Sequence, residues 1–299
     1  MKQLGSDIIT NDTVTTKEKE YLKAINFGKI KLQESTLISN EENFIQELKK
    51  SLFNKFDKKN EYVINEMYDS KQNKIIARSE KLVFTKLNAS ESHLFGTFSR
   101  ISNTKDVLTD IVDNESQRKI DPETIYFEHN TLFYIDFSTS SISFIKTQHI
   151  KNVYPFLELF LNNNNFLNVK IFPLIKTEQE IKETVVKSVN ITCARQEIDT
   201  SSDFVELKKL EKIGCVIKDY KLTVNLETVN NSFPGNLLNL YNKNKKSVKK
   251  MSISTLNEDI DLLTNTFTKS VPIKLKNNYD QDYSTIEFTL KNELLKAIQ

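Results

Sequence analysis

The feature that most constrains the fold is a stretch of aromatic and β-branched residues near the middle of the chain, TIYFEHNTLFYIDFSTSSISFIKT (residues 124–147). Its EHN and STSS segments are typical of turns and divide the stretch into three strand-like runs. Successive side chains of a strand point to opposite faces, so the middle run should present two different faces. One face carries Phe133, Ile135 and Phe137, and the other carries Leu132, Tyr134 and Asp136. This pattern predicts an antiparallel meander.

Helical patterns flank the predicted meander. Near Ser39 a capping-box spacing precedes Phe44, Leu48 and Leu52, which recur at four-residue steps and form one apolar stripe. Residues 168–198 read as a strand that stops at Pro173, a helix that starts at Thr177, and a second strand. Further helices are predicted at about 105–112, 151–161, 203–213 (ending at Gly214) and 255–268. We therefore expect an α+β fold, an antiparallel sheet meander with flanking helices and a lysine-rich C-terminal α/β region.

The chain is long enough for one large domain or two smaller ones, with 299 residues. Its 19 Phe and 10 Tyr concentrate the apolar content in large side chains, which favours a folded chain over a disordered one. Charge and asparagine become more frequent after about residue 200. We therefore expect an α+β N-terminal domain containing the meander at 1–200 and a lysine-rich C-terminal domain at 201–299.

Composition also limits the compartment and the chemistry. Two cysteines, Cys193 and Cys215, do not make a disulfide framework, and no run approaches 18 apolar residues, so a cytoplasmic protein without membrane insertion is expected. Five scattered glycines cannot build the usual phosphate-binding loops, and no nucleophile motif such as GxSxG is present. We expect no enzymatic activity and no cofactor.

Two weaker patterns for catalysis or metal binding have simpler structural explanations. Asp121, Glu123, Asp136 and Lys146 can be arranged as a metal-dependent nuclease site, but the strand SISFIKT lacks the carboxylate that such a site requires. Asp121 and Glu123 are explained more simply as a turn before a strand. The three histidines have no metal-ligand spacing and are expected to be solvent-facing or structural, with His129 in a turn; they are His93, His129 and His149.

The strongest functional signal is a run of lysines in NLYNKNKKSVKKMS (residues 239–252), which contains no acidic residue. Its lysines are Lys243, Lys245, Lys246, Lys249 and Lys250. In a helix the last four would share one face, where like charges repel and a polyanion would relieve the repulsion. Tyr241 could stack on or hydrogen-bond to a nucleic acid, and Lys208, Lys209 and Lys212 could extend the surface. The alternative is a solvated lysine face in a chain encoded by an AT-rich gene.

The order of elements resembles that of a known protein family. The meander is followed by a helix, by NVKIFPLIKTEQEIKETVVKSVNITC (168–193) and by the lysine-rich part. This arrangement resembles the Rex phage-exclusion protein A and is similar to the DNA-binding subunit of the Kiwa anti-phage system, over about residues 80–200. The residues that carry the resemblance are Val169, Ile171, Pro173, Leu174 and Lys176, with the strand at Val189–Thr192.

The resemblance implies a dimeric cytoplasmic protein that binds double-stranded DNA without sequence preference and acts in phage defence. A partner protein of the defence system is also expected. It implies DNA contact by the basic C-terminal region, here the lysines between 243 and 250. The net charge of only +2 departs from a strongly basic DNA-binding protein. Two alternatives stay open, a protein–protein interaction module that inhibits a defence complex and a degenerate metal-dependent nuclease.

Overall fold

The computed structural model describes most of the chain, with several gaps. The described residues are 19–32, 41–69, 74–103, 111–112, 119–120, 126–150, 152–162, 168–194, 219–227, 233–243, 248–275 and 282–299. The strands are β1 (Lys19–Leu32), β2 (Glu61–Asp69), β3 (Lys74–Ala89), β4 (His93–Asn103), β5 (Ile111–Val112), β6 (Lys119–Ile120), β7 (Tyr126–Asp136), β8 (Ser141–Lys146), β9 (Val169–Pro173), β10 (Ser188–Ala194), β11 (Asp219–Asn225), β12 (Val248–Ser254), β13 (Glu258–Asp261) and β14 (Phe267–Leu275). The helices are α1 (Glu41–Phe53), α2 (Tyr154–Asn162), α3 (Glu178–Lys182), α4 (Phe233–Lys243) and α5 (Tyr283–Ile298).

One large antiparallel sheet organises the described residues. Eleven of its twelve strands follow the order β11-β10-β12-β13-β14-β1-β8-β7-β4-β3-β2, and the twelfth, β9, pairs with β1 beside this path. Strands β5 and β6 form a separate two-stranded ribbon. The α+β class and the sheet meander predicted from the sequence are confirmed.

Strand β1 joins the early and late parts of the chain. Its first half pairs with β14, its centre pairs with β8, and its last residues pair with β9. Gly28 lies in both ladders, opposite Ile142 on one side and Pro173 on the other. Strands from before and after residue 200 thus share one sheet, and the division into domains 1–200 and 201–299 stays a prediction.

The sheet has two faces, each with its own apolar core. The first, which we call the front face, carries Phe133, Ile135 and Phe144 and packs against residues of α1 and α2. The second, the back face, carries Tyr134, Ile25 and other buried residues that pack against α3, α4 and α5. The alternation predicted for the middle run is confirmed, because Phe133, Ile135 and Phe137 belong to the front core while Leu132 and Tyr134 contact the back core.

Local signals identified several elements correctly. In α1 the residues Phe44, Leu48 and Leu52 are buried, as their spacing predicts. Thr177 caps α3, and its side chain and that of Glu180 form the reciprocal capping box. The predicted helix at 151–161 and the strands on either side of α3 are also present.

Other predictions were wrong or lie outside the described residues. The EHN segment is not a turn, because His129 lies inside β7 and pairs with Arg100 of β4. The helix predicted at 255–268 is replaced by β13 and the start of β14, which form a hairpin. Ile111 and Val112, assigned to a helix, are extended, and residues 203–214 lie outside the described residues.

Polar contacts fix α5 on the back face. The Ser143 hydroxyl donates to the carbonyl oxygen of Leu290 at 3.1 Å. Glu293 forms ion pairs with Lys269 of β14 at 2.5 Å and with Lys296 at 2.7 Å. Burial raises the pKa of Glu293, but the hydrogen bonds from these two lysines outweigh it and hold the pKa below its usual value. The helix is thus attached to the sheet by charge as well as by apolar packing.

Lys55, just after α1, connects the two helices of the front face. Its ammonium donates to the carbonyl oxygens of Phe160 and Leu161 at the end of α2 and lies over the Tyr62 ring. Cations at a helix C-terminus are favourable because the terminal carbonyls lack helical partners. Burial lowers the pKa of Lys55 to about 8.

The outer edge of β9 is closed by side chains of α2. Asn162 bonds both the N–H and the C=O of Val169, at 2.7 and 2.8 Å, and the Glu158 carboxylate accepts from the N–H of Ile171 at 2.7 Å. The next outward position is Pro173, which has no N–H. Edge strands with unpaired donors invite further strands, so this edge is protected against strand addition.

No helix among the described residues is long and apolar enough to cross a membrane.

A tight backbone contact forms where β3 bulges against β4. The pairing register shifts between Lys86 and Asn88, directly opposite Gly96 and Phe95. A Cβ atom at Gly96 would overlap the carbonyl oxygen of Thr85 and lie 3.1 Å from Cζ of Phe133. The bulge lies on β3, the strand that faces Gly96.

We expect Gly96→Ala to lower the free energy of unfolding by about 3 kcal/mol, because the new methyl group must displace backbone in a packed sheet. Urea denaturation measures the change. The matched control is Gly235→Ala in α4, where the nearest atom to the new Cβ is Cγ of Lys182 at 3.7 Å. The control should leave stability unchanged or raise it by up to about 1 kcal/mol. Equal effects of the two substitutions would contradict this packing.

Candidate nucleic-acid interface

The lysine run does not form one helical face. Helix α4 ends at Lys243, and β12 begins at Val248, so Lys249 and Lys250 lie in a strand. Neighbouring side chains of a strand point to opposite faces, and these two lysines therefore diverge. Lys249 shares its face with the buried Met251 and Ile253, whereas Lys250 lies on the front face. The prediction of a shared helical surface is wrong for this pair.

The remaining predicted contact residues are not placed by the described side chains. Tyr241 and Lys243 belong to α4, but their side chains are outside the described set. The others lie outside the described residues, namely Lys208, Lys209, Lys212, Lys245 and Lys246.

Lys250 opens onto a concave part of the front face that we call the polar recess, with a volume of about 550 Å³. Its charged side chains are Lys146, Lys221, Lys250, Asp259 and Asp261. Its hydroxyl and amide side chains are Asn190, Thr192, Ser252, Ser254, Thr266 and Thr268. The front face is thus apolar beneath α1 and α2 and polar across β10 to β14, where no described helix covers it.

Two of the lysines are brought together by strand register. Lys221 of β11 and Lys250 of β12 are both paired with Thr192 of the intervening β10. Adjacent strands are about 4.8 Å apart, so the two lysine backbones are roughly 10 Å apart on the same face. The row places a hydroxyl group between two ammonium groups, a combination suited to phosphate oxygens.

The third lysine, Lys146, lines the recess from the side opposite Lys250. Lys146 belongs to β8, four strands away from β12 in the sheet. Four strand spacings correspond to roughly 19 Å, and the long side chains of Lys146 and Lys250 reach into the recess from its two sides. The recess thus spans several strands and has lysines at both ends.

The recess lysines are available for an external anion. Among the described residues, no carboxylate lies within 4 Å of the ammonium groups of Lys146, Lys221 or Lys250. Asp259 and Asp261 lie on β13, between the lysines, and Asp261 accepts a hydrogen bond from the N–H of Leu263 at 2.9 Å. The recess therefore has a small positive excess rather than a uniformly basic lining.

The predicted nuclease arrangement is not assembled by the described residues. Asp136 accepts hydrogen bonds within its own turn, from the Ser138 hydroxyl at 2.5 Å and the Thr139 N–H at 2.9 Å. By strand alternation Asp136 is on the back face and Lys146 is on the front face, so the two cannot share a site. Asp121 and Glu123 lie outside the described residues.

The histidines make specific contacts within the fold. His129 and His149 stack with ring centroids 4.0 Å apart. His93 contacts Glu287 of α5 through Nε2 at 2.8 Å and Ser90 Oγ through Nδ1 at 2.9 Å, and Asn88 donates to the same Glu287 carboxylate. No group of three or more metal-ligating residues is present in the part of the chain described.

The Ser90–His93–Glu287 contacts were not foreseen because Glu287 is remote in sequence. A serine that contacts a histidine, which in turn contacts a glutamate, can support nucleophilic catalysis when an oxyanion site accompanies the three side chains. Here Ser90 already accepts from the N–H of Ser92, and its own N–H donates to the carbonyl oxygen of His93. The serine thus closes the turn between β3 and β4, and the histidine attaches that turn to α5.

No protein-family model matches the chain, and no curated protein matches its sequence.

Proposed function

We propose that the protein is a nonenzymatic component of a phage-defence or phage-exclusion system that binds double-stranded DNA without sequence preference. The observation that supports the proposal is the row Lys221–Thr192–Lys250 on a polar face that no described helix covers, with Lys146 across the same recess. Lysines neutralise phosphates and release condensed counterions, which supplies affinity independently of base sequence. The assignment to phage defence rests on the resemblance described above.

The size of the recess limits the contact to one phosphate backbone. Its volume of about 550 Å³ would hold a short stretch of a single strand's sugar–phosphate chain, not the whole duplex. Lysine, serine, threonine and asparagine side chains commonly contact phosphate and sugar, and all four occur here. Lysine does not read base edges in the bidentate manner of arginine, so sequence preference should be weak.

The segment 244–247 joins Lys243 to Val248 and carries Lys245 and Lys246, so the lysine run continues directly into the strand that holds Lys250. We include these residues in the proposed interface, together with Tyr241, Lys208, Lys209 and Lys212. We also propose that the protein is a cytoplasmic homodimer that binds a partner protein of the defence system. Light scattering with and without DNA measures the oligomeric state.

Reversing the charge of Lys221 and Lys250, the two lysines of the row, should weaken DNA binding. We expect Lys221→Glu with Lys250→Glu to reduce affinity for a random duplex at least tenfold at low salt. The slope of log affinity against log salt concentration should become shallower by about two, since each lysine–phosphate contact contributes about one. Fluorescence anisotropy over a salt series measures both quantities. The charge-matched control is Lys58→Glu with Lys291→Glu, exposed positions away from the recess; equal losses in the two double variants would contradict the proposal.

The two aspartates distinguish binding from metal-dependent cleavage. If the recess holds phosphate, Asp259→Asn with Asp261→Asn should tighten duplex binding about threefold or more, because two repelling charges are removed while the Asp261 side-chain acceptor is retained. The wild-type protein should not nick supercoiled plasmid in Mg²⁺ or Mn²⁺. Nicking that disappears in the double asparagine variant would instead indicate a metal-dependent nuclease that uses these two recess aspartates.

A further inference from the structure

A second surface on the molecule differs from the polar recess in both lining and charge. It is a groove of about 650 Å³ between the end of β9 and the turn that connects β13 to β14, and we call it the Phe172 groove. Its main lining residues are Lys29, Lys31, Phe172, Pro173, Ile175 and Thr264. Phe172 is 43 % exposed and Ile175 is 63 % exposed, and both large apolar side chains line the groove.

The backbone beneath the groove is firmly held. The N–H of Leu174 donates to the carbonyl oxygen of Phe27 at 2.9 Å, and the N–H of Lys176 donates to that of Asn265 at 2.9 Å. Ile175 forms an isolated bridge with Thr266. The exposed apolar side chains are therefore presented by fixed backbone, which lowers the entropy cost of binding.

A partner cannot extend the sheet at β9. Asn162 and Glu158 occupy the outward N–H groups of Val169 and Ile171, and Pro173 lacks one. Recognition by addition of a strand requires such free donors. A partner therefore has to contact the groove through side chains rather than through strand pairing.

The charges at the rim of the groove are positive. The ammonium groups of Lys31 and Lys170 lie over the Phe172 ring, 5.8 and 5.7 Å from its centroid. No carboxylate pairs with either lysine among the described residues. Because these cations lie over the aromatic ring, a nucleobase would have to displace them in order to stack there.

We propose that the Phe172 groove docks an acidic segment of a partner protein, which inserts one apolar or aromatic side chain between Phe172 and Ile175 and places carboxylates near Lys31 and Lys170. Anchors of this kind supply most of the affinity of a peptide interface, and the surrounding charges select the partner. The site uses none of the recess lysines, so it does not depend on the proposed DNA binding. It adjoins the recess at Thr266, which borders both.

A displayed library of random 12-residue peptides, selected on the full-length protein, tests the proposal. Enriched peptides should contain an apolar or aromatic residue flanked by Asp or Glu. Their synthetic, fluorescein-labelled forms should bind at least tenfold more weakly to Lys31→Glu with Lys170→Glu and to Ile175→Asp. Binding should be unchanged in the control Lys58→Glu with Lys291→Glu. Circular dichroism and thermal melts establish that each variant is folded, as expected for exposed positions.

The variant Lys221→Glu with Lys250→Glu should retain peptide binding, which separates failure of this proposal from failure of the DNA proposal. Three results would overturn the docking site: no enrichment above that obtained on Ile175→Asp, enriched peptides without acidic residues, or equal peptide affinities for wild type and the rim variants. A single-stranded oligonucleotide that binds wild type and is lost in the rim variants, with no peptide enriched, would show that the groove takes nucleic acid.

Discussion

The ladder of backbone hydrogen bonds along β1 is the constraint on which the rest of the structure depends. This strand pairs with β8 on one edge and with β14 and then β9 on the other, so it holds together strands that come from all parts of the chain. At its centre, Gly28 allows close packing, since a Cβ there would be 2.8 Å from Cγ2 of Ile171 and 3.1 Å from the Tyr154 ring. The Tyr154 hydroxyl, whose pKa burial raises, donates to the carbonyl oxygen of Phe27. Helix α2, β9 and the central sheet thus meet at one point.

This continuous sheet explains how one face serves two purposes. Beneath α1 and α2 the front face is aromatic, and Phe84 stacks on Phe160 with ring centroids 4.2 Å apart. Across β10 to β14 the same face carries hydroxyl, amide and charged side chains, while the back face there is buried against α3 and α4. Because the back face supplies the apolar core of this half, its front face can remain polar without loss of stability. The polar recess thus lies on a firmly packed sheet, which holds its side chains in place for ligand contacts.

Sequence signals were reliable where the determining interactions are local. The alternation of residues 132–137 and the capping box of Thr177 and Glu180 depend on neighbours in the chain, and both are present. Sequence signals failed where the structure depends on pairing between strands that are far apart in the chain. The lysine spacing predicts a helical face, yet Met251 and Ile253 alternate with Lys250 and Ser252, a two-residue period that favours a strand. The recess could not be predicted from the sequence. Lys146, Lys221 and Lys250 belong to three different strands, which only the strand order of the sheet brings together, and no sequence motif links them.

The most direct test of the account is the accessibility of individual lysines when DNA is bound. Brief acetylation of the wild-type protein, with and without a random DNA duplex, followed by mass spectrometry, reports the protection of each ammonium group. We predict that Lys221 and Lys250 are strongly protected by duplex at low salt and regain reactivity as salt rises, while Lys58 and Lys291 react equally throughout. Unchanged reactivity of Lys221 and Lys250 in the presence of bound DNA would contradict the proposed interface.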